Sequence, residues 1–289
     1  ISRPGATGWR FRISKQTSNL MHHVIVGAGY TGQRVHALLP GSTALRRADL
    51  DLDAVPPDRR LSFDDPFSML FTVPPNVEGS EDLRLARLFE CLTTAPRRLV
   101  YLSTTGVYGD CHGAIVDETS PVNPMNDRSR ARVVAEETLA RWCKEIGAAC
   151  FVLRVPGIYG PGRLGLDRIR QGTPVIAESE AGPGNRIQVD DLAGCAIAAL
   201  TSDVQPGVYN VGDGDHRSSS WFTGTVAHIA GLKPPPEISL AEAETTFSEA
   251  RLSFLRESRR VDTTKMRKTL GYAPRYEDPI AGIRASLSP

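Results

Sequence analysis

The sequence predicts an α/β fold: a doubly wound parallel sheet followed by a smaller, mostly helical C-terminal lobe. Two observations lead to this prediction. In the first half, short apolar runs alternate with stretches of helical apolar spacing, as in a parallel sheet with helices on both faces. From Gly157 to Gly184, glycine and proline become frequent, which is typical of loops that cover a ligand.

The first strand and helix flank a glycine-rich turn. The apolar run ending at Val26 leads into Gly27-x-Gly29-x-x-Gly32, and helical spacing follows over 33–39. In such a unit the first glycine allows the tight turn, the second lets a pyrophosphate approach the backbone, and the third lets helix and strand pack closely. The N–H groups at the helix start would bind the phosphates. The turn predicts a dinucleotide site, and the alternative is a purely structural glycine turn.

The remaining elements follow from the same patterns. Strands are expected at 42–45, 68–73, 98–103, 149–154 and 207–212, and helices at 81–92, 130–146, 190–200, 247–257 and 263–270. We expect a dinucleotide-binding domain over 21–155 and a substrate-binding lobe over 156–289, with some strands of the lobe returning to the sheet. Residues 1–20 are polar and basic, and we expect a tag-like or disordered extension there.

Composition argues against several classes of partner. The 289 residues include 34 Lys+Arg and 33 Asp+Glu, so the net charge of +1 gives no field for nucleic acid or a membrane surface. No run approaches the about 20 apolar residues of a membrane helix. The five scattered cysteines and six histidines show no metal spacing, so no metal site is expected and a reducing cytoplasm is favoured. The expected partner is a small molecule, and a homodimer stays open.

The end of the second strand bears on cofactor choice. The strand at 42–45 is followed by Arg46 and Arg47, and the acids Asp49, Asp51 and Asp53 come a few residues later. An acid at this point binds the ribose 2′-hydroxyl of NAD, whereas an arginine pairs with the 2′-phosphate of NADP. The sequence therefore favours NADP, with NAD as the alternative. A solvated arginine pair is the structural alternative.

Motifs downstream occur in a characteristic order. They are Ser103-Thr-Thr-Gly-Val-Tyr-Gly109, Asp117-Glu118 with Pro121-x-x-Pro124, Leu153-Arg-Val-Pro-Gly-Ile-Tyr-Gly-Pro-Gly-Arg163, Ile187-Gln-Val-Asp-Asp-Leu-Ala193 and Gly207-Val-Tyr-Asn-Val-Gly212. With the glycine-rich turn, they resemble the extended short-chain dehydrogenases/reductases, specifically the NAD-dependent epimerase/dehydratase branch. The resemblance covers 21–287 and implies a Rossmann fold, a nicotinamide dinucleotide and a substrate cleft between the lobes.

The resemblance also implies a catalytic set: a Ser or Thr after the strand at 98–103, then Tyr-x-x-x-Lys on the following helix. Thr104 occupies the hydroxyl position, but Arg128 and Arg132 stand where the Tyr and the Lys belong. None of the five lysines has a tyrosine four residues before it. A guanidinium stays protonated near neutral pH, so Arg128 cannot act as a general acid or base. Arg132 could still hold the ribose or a phosphate.

The candidate site residues follow from these arguments. Tyr108 and Tyr159 are candidate replacement phenols beside the catalytic candidate Thr104, although tyrosines in such turns often only pack. Arg128, Arg163 and Arg186 are candidate ligands for a substrate anion, or else surface charges. The predicted cofactor-binding residues are Gly27, Gly29, Tyr30, Thr31, Gly32, Arg46, Arg47, Val73 and Arg132.

Three functions remain open from the sequence. We expect an atypical NAD(P)-dependent oxidoreductase or epimerase-like protein that acts on a small hydroxylated or carbonyl, anionic substrate. The alternative from another class is a non-catalytic NADP(H)-binding sensor or scaffold, because both catalytic side chains are lost while the glycine turn is kept. A third is nucleotide-sugar binding without redox turnover.

Overall fold

The computed structural model describes residues 21–64, 66–79 and 81–288, so the extension predicted at 1–20 lies outside the described residues. The strands of the central sheet are β1 (His22–Val26), β2 (Thr43–Leu45), β3 (Phe67–Phe71), β4 (Arg98–Thr104), β5 (Ala149–Val155) and β6 (Gly207–Asn210). They lie in the order β6-β5-β4-β3-β1-β2, and every neighbouring pair is parallel. The predicted α/β class is confirmed.

Helices cover both faces of this sheet. The helices are α1 (Tyr30–Leu38), α2 (Leu83–Cys91), α3 (Asp127–Ile146), α4 (Leu166–Arg170), α5 (Val189–Thr201), α6 (Ser219–Ile229), α7 (Leu240–Thr246), α8 (Glu249–Leu255), α9 (Thr264–Lys268) and α10 (Pro279–Leu287). Because strand side chains alternate between faces, Val24 and Val26 pack with α2 and α3, whereas Ile25 packs with α1 and α5. The short apolar runs of the sequence are therefore buried on both sides.

Local capping explains where the helices differ from the predicted bounds. Helix α3 begins at Asp127, three residues earlier than predicted, because the Asn126 side chain accepts the N–H of Ser129. Gly147 ends α3 in the left-handed conformation at φ 69°, at the stop that the sequence predicts. The sequence patterns do not predict helices α6 and α10, since their apolar stripes are covered mainly by each other and by Tyr159.

Short strands outside the central sheet hold the second half together. They pair 157–159 with 186–188, 115–116 with 260–261, and 175–176 with 237–238. The region 157–184, predicted as loops, therefore contains short strands and helix α4. Strand β6 joins the edge of the central sheet beside β5. The domain boundary at 155/156 stays a prediction.

The strand order reverses at β1, whose two neighbours are β2 and β3. In open α/β sheets the crevice outside the carboxyl ends of the strands at such a reversal binds ligands. We therefore expect a ligand to bind near the turn after β1 and the loops after β3, β4 and β5. None of the described helices is long and apolar enough to span a membrane.

Candidate functional site

Two cavities open at the carboxyl ends of the strands. The first cavity, of about 800 Å³, is lined by Gly27–Thr31, Arg46, Arg47 and Val73. The second cavity, of about 520 Å³, is lined by Thr104, Arg128 and segments of the second half of the chain. The residues that line both cavities are Ser103, Arg132, Val155, Ile158 and Arg163. The two cavities therefore adjoin at this wall.

The glycine turn has the geometry of a phosphate cradle. Gly27 has φ +87°, and a Cβ there would lie 2.6 Å from Cγ2 of Val73. A Cβ on Gly32 would lie 3.0 Å from the carbonyl oxygen of Gly27 and 3.2 Å from Cγ2 of Ile25. The fold itself thus requires Gly27 and Gly32, for the turn and for helix–strand packing.

Gly29 differs from its two neighbours, because a Cβ there would meet nothing closer than the Gly27 carbonyl oxygen at 3.8 Å. The missing side chain leaves bare backbone facing the first cavity, at the N-cap of α1. No side chain caps this helix, and its first turn contains no acid. Unpaired N–H groups with a positive dipole end suit an anion, so the turn fits the diphosphate of a dinucleotide.

Some of the charged side chains that follow β2 have ion-pair partners, whereas the Arg46 guanidinium has no carboxylate nearby in the described part of the chain. Asp53 pairs with Arg84, whose Nε lies 2.8 Å from the Asp53 carboxylate, and with Arg47 at 3.3 Å. The hydrogen bond from Arg84 lowers the pKa of Asp53. Among the described residues, no carboxylate lies within 4.0 Å of the Arg46 guanidinium, which lines the same cavity. Arg46 is therefore a cation available to a ligand phosphate in this cavity.

Arg132 lies in the wall shared by the two cavities. Its Nη1 donates to the Tyr101 hydroxyl at 2.8 Å and to the Leu102 carbonyl at 2.7 Å. These bonds fix the guanidinium against β4. Next to it, the Ser103 hydroxyl donates to Glu136, whose other carboxylate oxygen accepts from Arg154 at 2.8 Å. Hydrogen bonds thus fix the polar side chains of this wall, and the Arg132 side chain lines both cavities.

Thr104 and Arg163 also face the second cavity. The Thr104 oxygen accepts the N–H of Gly106 at 3.1 Å, which leaves its hydroxyl proton for a ligand. The Arg163 guanidinium carbon lies 3.9 Å from the centre of the Tyr30 ring, and the Tyr30 hydroxyl donates to Pro161 at 3.0 Å. Tyr30 thereby holds the loop that carries Arg163 over the mouth of both cavities.

The structure does not bring Tyr108 and Tyr159 to either cavity. Tyr108 is 1% exposed and donates to Oδ1 of Asn210 at 2.7 Å. Tyr159 is 3% exposed and packs edge-on against Phe222. Burial raises the pKa of both phenols. Both phenols are therefore buried away from the two cavities, and their placement does not support the role of replacement phenols expected from the sequence.

Arg186 is likewise buried rather than exposed in the cleft. Its Nη1 pairs with Asp215 at 2.7 Å, and its Nη2 donates to the carbonyl oxygens of Arg217 and Ser218. These partners saturate much of the guanidinium and tie the strand at 186–188 to the loop before α6. Arg186 is thus engaged in a buried ion pair and lines neither cavity, which does not support the substrate contact expected from the sequence.

Several lining residues carry no sequence signal. They are Arg84 in the first cavity, and Glu180, Glu257 and Arg259 in the second. Each lies outside the motifs that carry the family resemblance, so only tertiary contacts reveal it. The described residues hold no cluster of three or more His, Cys, Asp or Glu side chains that could bind a metal.

Residues 81–212 match the model of the NAD dependent epimerase/dehydratase family. This part of the chain is therefore similar to the epimerase/dehydratase family. The matched range contains Thr104, Arg128, Arg132 and Arg163, and it begins after the glycine turn. The resemblance inferred from the motifs is confirmed, and the loss of the Tyr-x-x-x-Lys pair stays a prediction.

Relatives of this family are distant. Protein YeeZ of Escherichia coli (strain K12) is 28% identical over 184 residues, which span 63% of this chain and 60% of YeeZ. A functionally unknown conserved protein from Silicibacter pomeroyi DSS is 29% identical, with a TM-score of 0.76 over 92% of this chain and 97% of that one. Human epimerase family protein SDR39U1 (isoform 2), solved with NADPH, is 18% identical, with a TM-score of 0.68 over 92% and 99% of the chains. That last likeness shows the fold alone.

Proposed function

We propose that this protein is an NADP(H)-dependent oxidoreductase that transfers a hydride between the nicotinamide and a carbonyl or hydroxyl carbon of a small anionic substrate. The shared wall of the two cavities is the observation that carries the proposal. It puts a dinucleotide-sized space and a separate small-molecule space in contact at the strand ends. Hydride transfer requires such contact.

Arg46 supports the choice of NADP over NAD. Its guanidinium faces the first cavity, while Asp53 is held by Arg47 and Arg84. A phosphate pairs strongly with a guanidinium that has no carboxylate partner, whereas an acid already held by two arginines is a poor acceptor for a ribose hydroxyl.

The mechanism assigns three tasks to this chain. NADP(H), when bound, supplies or accepts the hydride. The turn at Gly29 holds the diphosphate, and Arg132 holds the ribose or a phosphate at the shared wall. The Thr104 hydroxyl donates a hydrogen bond to the substrate oxygen and orients it. The residues that line the second cavity include no tyrosine, lysine or histidine among the described part of the chain, so the oxygen exchanges its proton with water.

A non-catalytic NADP(H)-binding sensor or scaffold is the second candidate. Arg128 and Arg132 favour it, because a guanidinium cannot deliver a proton near neutral pH. The two candidates share the cofactor and differ only in turnover. Binding of NADPH without turnover of any carbonyl compound or sugar nucleotide would support the sensor.

Two measurements test the oxidoreductase. Calorimetry with NADPH and NADH should show binding, with NADPH preferred; no binding of either would overturn the assignment. Oxidation of NADPH, followed at its absorbance band, should then be measured against a panel of carbonyl compounds and sugar nucleotides. We expect Thr104→Ala to lower any turnover about tenfold or more, and Thr104→Ser to keep it. Unchanged turnover in Thr104→Ala would remove Thr104 from the mechanism.

A further inference from the structure

Arg259 has an unpaired edge in the second cavity. The residue is 9% exposed and lines the cavity. Its Nη1 donates to the Gly109 carbonyl at 2.6 Å and to Glu257 at 3.0 Å. Its buried Nε has no hydrogen-bond partner, and its Nη2 donates to none of the described residues. A buried donor without an acceptor is costly, so this edge is a candidate ligand site.

The guanidinium is fixed before any ligand arrives. Glu257 accepts from Nη1 with one oxygen, and its other oxygen accepts from Nδ2 of Asn126 at 2.8 Å. The backbone oxygen of Arg259 accepts from Nδ2 of Asn185 at 2.9 Å. The short strand that follows pairs with 115–116. Little conformational entropy is lost when a ligand binds an arginine held in this way.

The chemistry of the edge favours a carboxylate. Nη2 is the donor of Arg259 that is neither paired nor buried, and its N–H groups can bind a carboxylate oxygen in a charge-assisted hydrogen bond. The charged side chains that line the cavity are Arg128, Arg132, Arg163, Arg259, Glu180 and Glu257. Their excess of arginine attracts an anion. The Glu257 carboxylate lies beside the edge and disfavours a doubly charged phosphate more than a singly charged group.

The rest of the cavity wall favours an apolar body on the same ligand. Ile176, Leu240 and Leu255 line the cavity. Leu240 is 42% exposed, although large apolar side chains gain free energy when they are covered. An apolar group against this wall would cover Leu240. The hydroxyls and diphosphate of a sugar nucleotide would not match these apolar side chains.

We propose that the substrate is a carboxylic acid with an apolar body, and that the free edge of Arg259 binds its carboxylate while Ile176, Leu240 and Leu255 contact the body. This inference rests on the proposed function and names the substrate class for it. The carboxylate anchors the molecule so that its reducible or oxidisable carbon lies towards Thr104. Arg259 is thus a specificity-determining residue of the second cavity.

The test uses the full chain saturated with NADPH and titrated by ligand-observed NMR. The probes are 3-phenylpropionate, its amide, and UDP-glucose. We expect the acid to bind about tenfold or more tightly than the amide, because only the acid offers a charged acceptor to the Arg259 guanidinium. Equal affinity of acid and amide, no binding of the acid, or tighter binding of UDP-glucose would overturn the proposal.

Matched variants assign the effect to Arg259. Arg259→Gln should weaken binding of 3-phenylpropionate about tenfold while NADPH affinity is kept. Arg260→Gln, which changes an exposed neighbour outside the cavity, should change affinity less than about twofold. Equal losses in both variants would contradict the site. If Arg259→Gln does not fold, the comparison of acid and amide on the unaltered chain decides. Failure of NADPH to bind, seen before any acid is added, would instead contradict the proposed function.

Discussion

The first cavity depends mainly on backbone, whereas the second depends on side chains. Around the glycine turn, Gly27 and Gly32 meet the geometric demands of a dinucleotide-binding unit. On α3, Arg128 and Arg132 stand where the family resemblance places an acid–base pair. A chain can therefore keep the backbone that suits a cofactor while it lacks the side chains that transfer a proton in the family it resembles. The first needs a backbone shape, and the second needs a side chain that titrates.

The largest effect is expected at the glycine turn. Gly27→Ala adds a Cβ 2.6 Å from Val73 at a positive φ, so we expect loss of NADPH binding and a decrease of about 3–6 kcal/mol in the free energy of unfolding. Gly29→Ala, where a Cβ meets nothing closer than 3.8 Å, is the matched control. It should keep its stability in urea and lose only cofactor affinity. Equal destabilisation of both variants would contradict the distinction between a structural glycine and a ligand-facing one.

The next largest effect is a difference in stability between variants of two arginines that look alike in the sequence. Arg186→Met removes the buried partner of Asp215, which keeps its ion pair with Arg217, and leaves two carbonyl oxygens without their donor, so we expect a loss of about 2–4 kcal/mol in urea unfolding. Arg163→Met removes an exposed cation that stacks on Tyr30, and should cost less than about 1 kcal/mol. It should still weaken binding of an anionic ligand in the second cavity. A stable Arg186→Met variant would show that the buried pair is not structural.

Asp213 provides a pH-dependent test of the same buried region. Burial raises the pKa of Asp213 from 3.8 to about 7. Between these values the folded chain binds a proton that the unfolded chain has released, so the stability due to this proton falls as the pH rises towards 7. We expect Asp213→Asn to gain about 2–4 kcal/mol relative to the parent across this range and to keep a constant advantage above it.

Urea unfolding of both proteins at a series of pH values measures the gain. A difference that stays constant across the range would contradict a carboxyl group that is protonated in the folded chain.

The smallest expected effect sharpens the cofactor assignment. Arg46→Ala should lower NADPH affinity about tenfold to a hundredfold and leave NADH affinity unchanged, because only NADPH carries the 2′-phosphate. Arg59→Ala, an exposed arginine outside the cavity, is the control and should alter neither affinity. Calorimetry with both cofactors measures the ratio. An unchanged ratio in Arg46→Ala would return the choice between NADP and NAD to an open question.

Much of the fold could be predicted because its signals are local. The sequence patterns place the strands beginning at Arg98 and Ala149 within one residue of their observed ends, since apolar runs between turns mark buried parallel strands. The patterns miss helices α6 and α10, because the surfaces that bury their apolar residues come from distant parts of the chain. For the site, the residues predicted to hold the cofactor surround one cavity, except Gly32, which packs behind the turn.

Sequence alone determined the class of fold, the glycine turn and the absence of a Tyr-x-x-x-Lys pattern, because each depends on residue types at fixed spacing. Tertiary structure decided which charges face a ligand. Arg163 and Arg186 look alike in the sequence, but Arg186 folds onto Asp215 while Arg163 stays at the mouth of the cavities. The free edge of Arg259 follows from Gly109 and Glu257 occupying the other edge. Whether a charge is paired depends on neighbours that are distant along the chain.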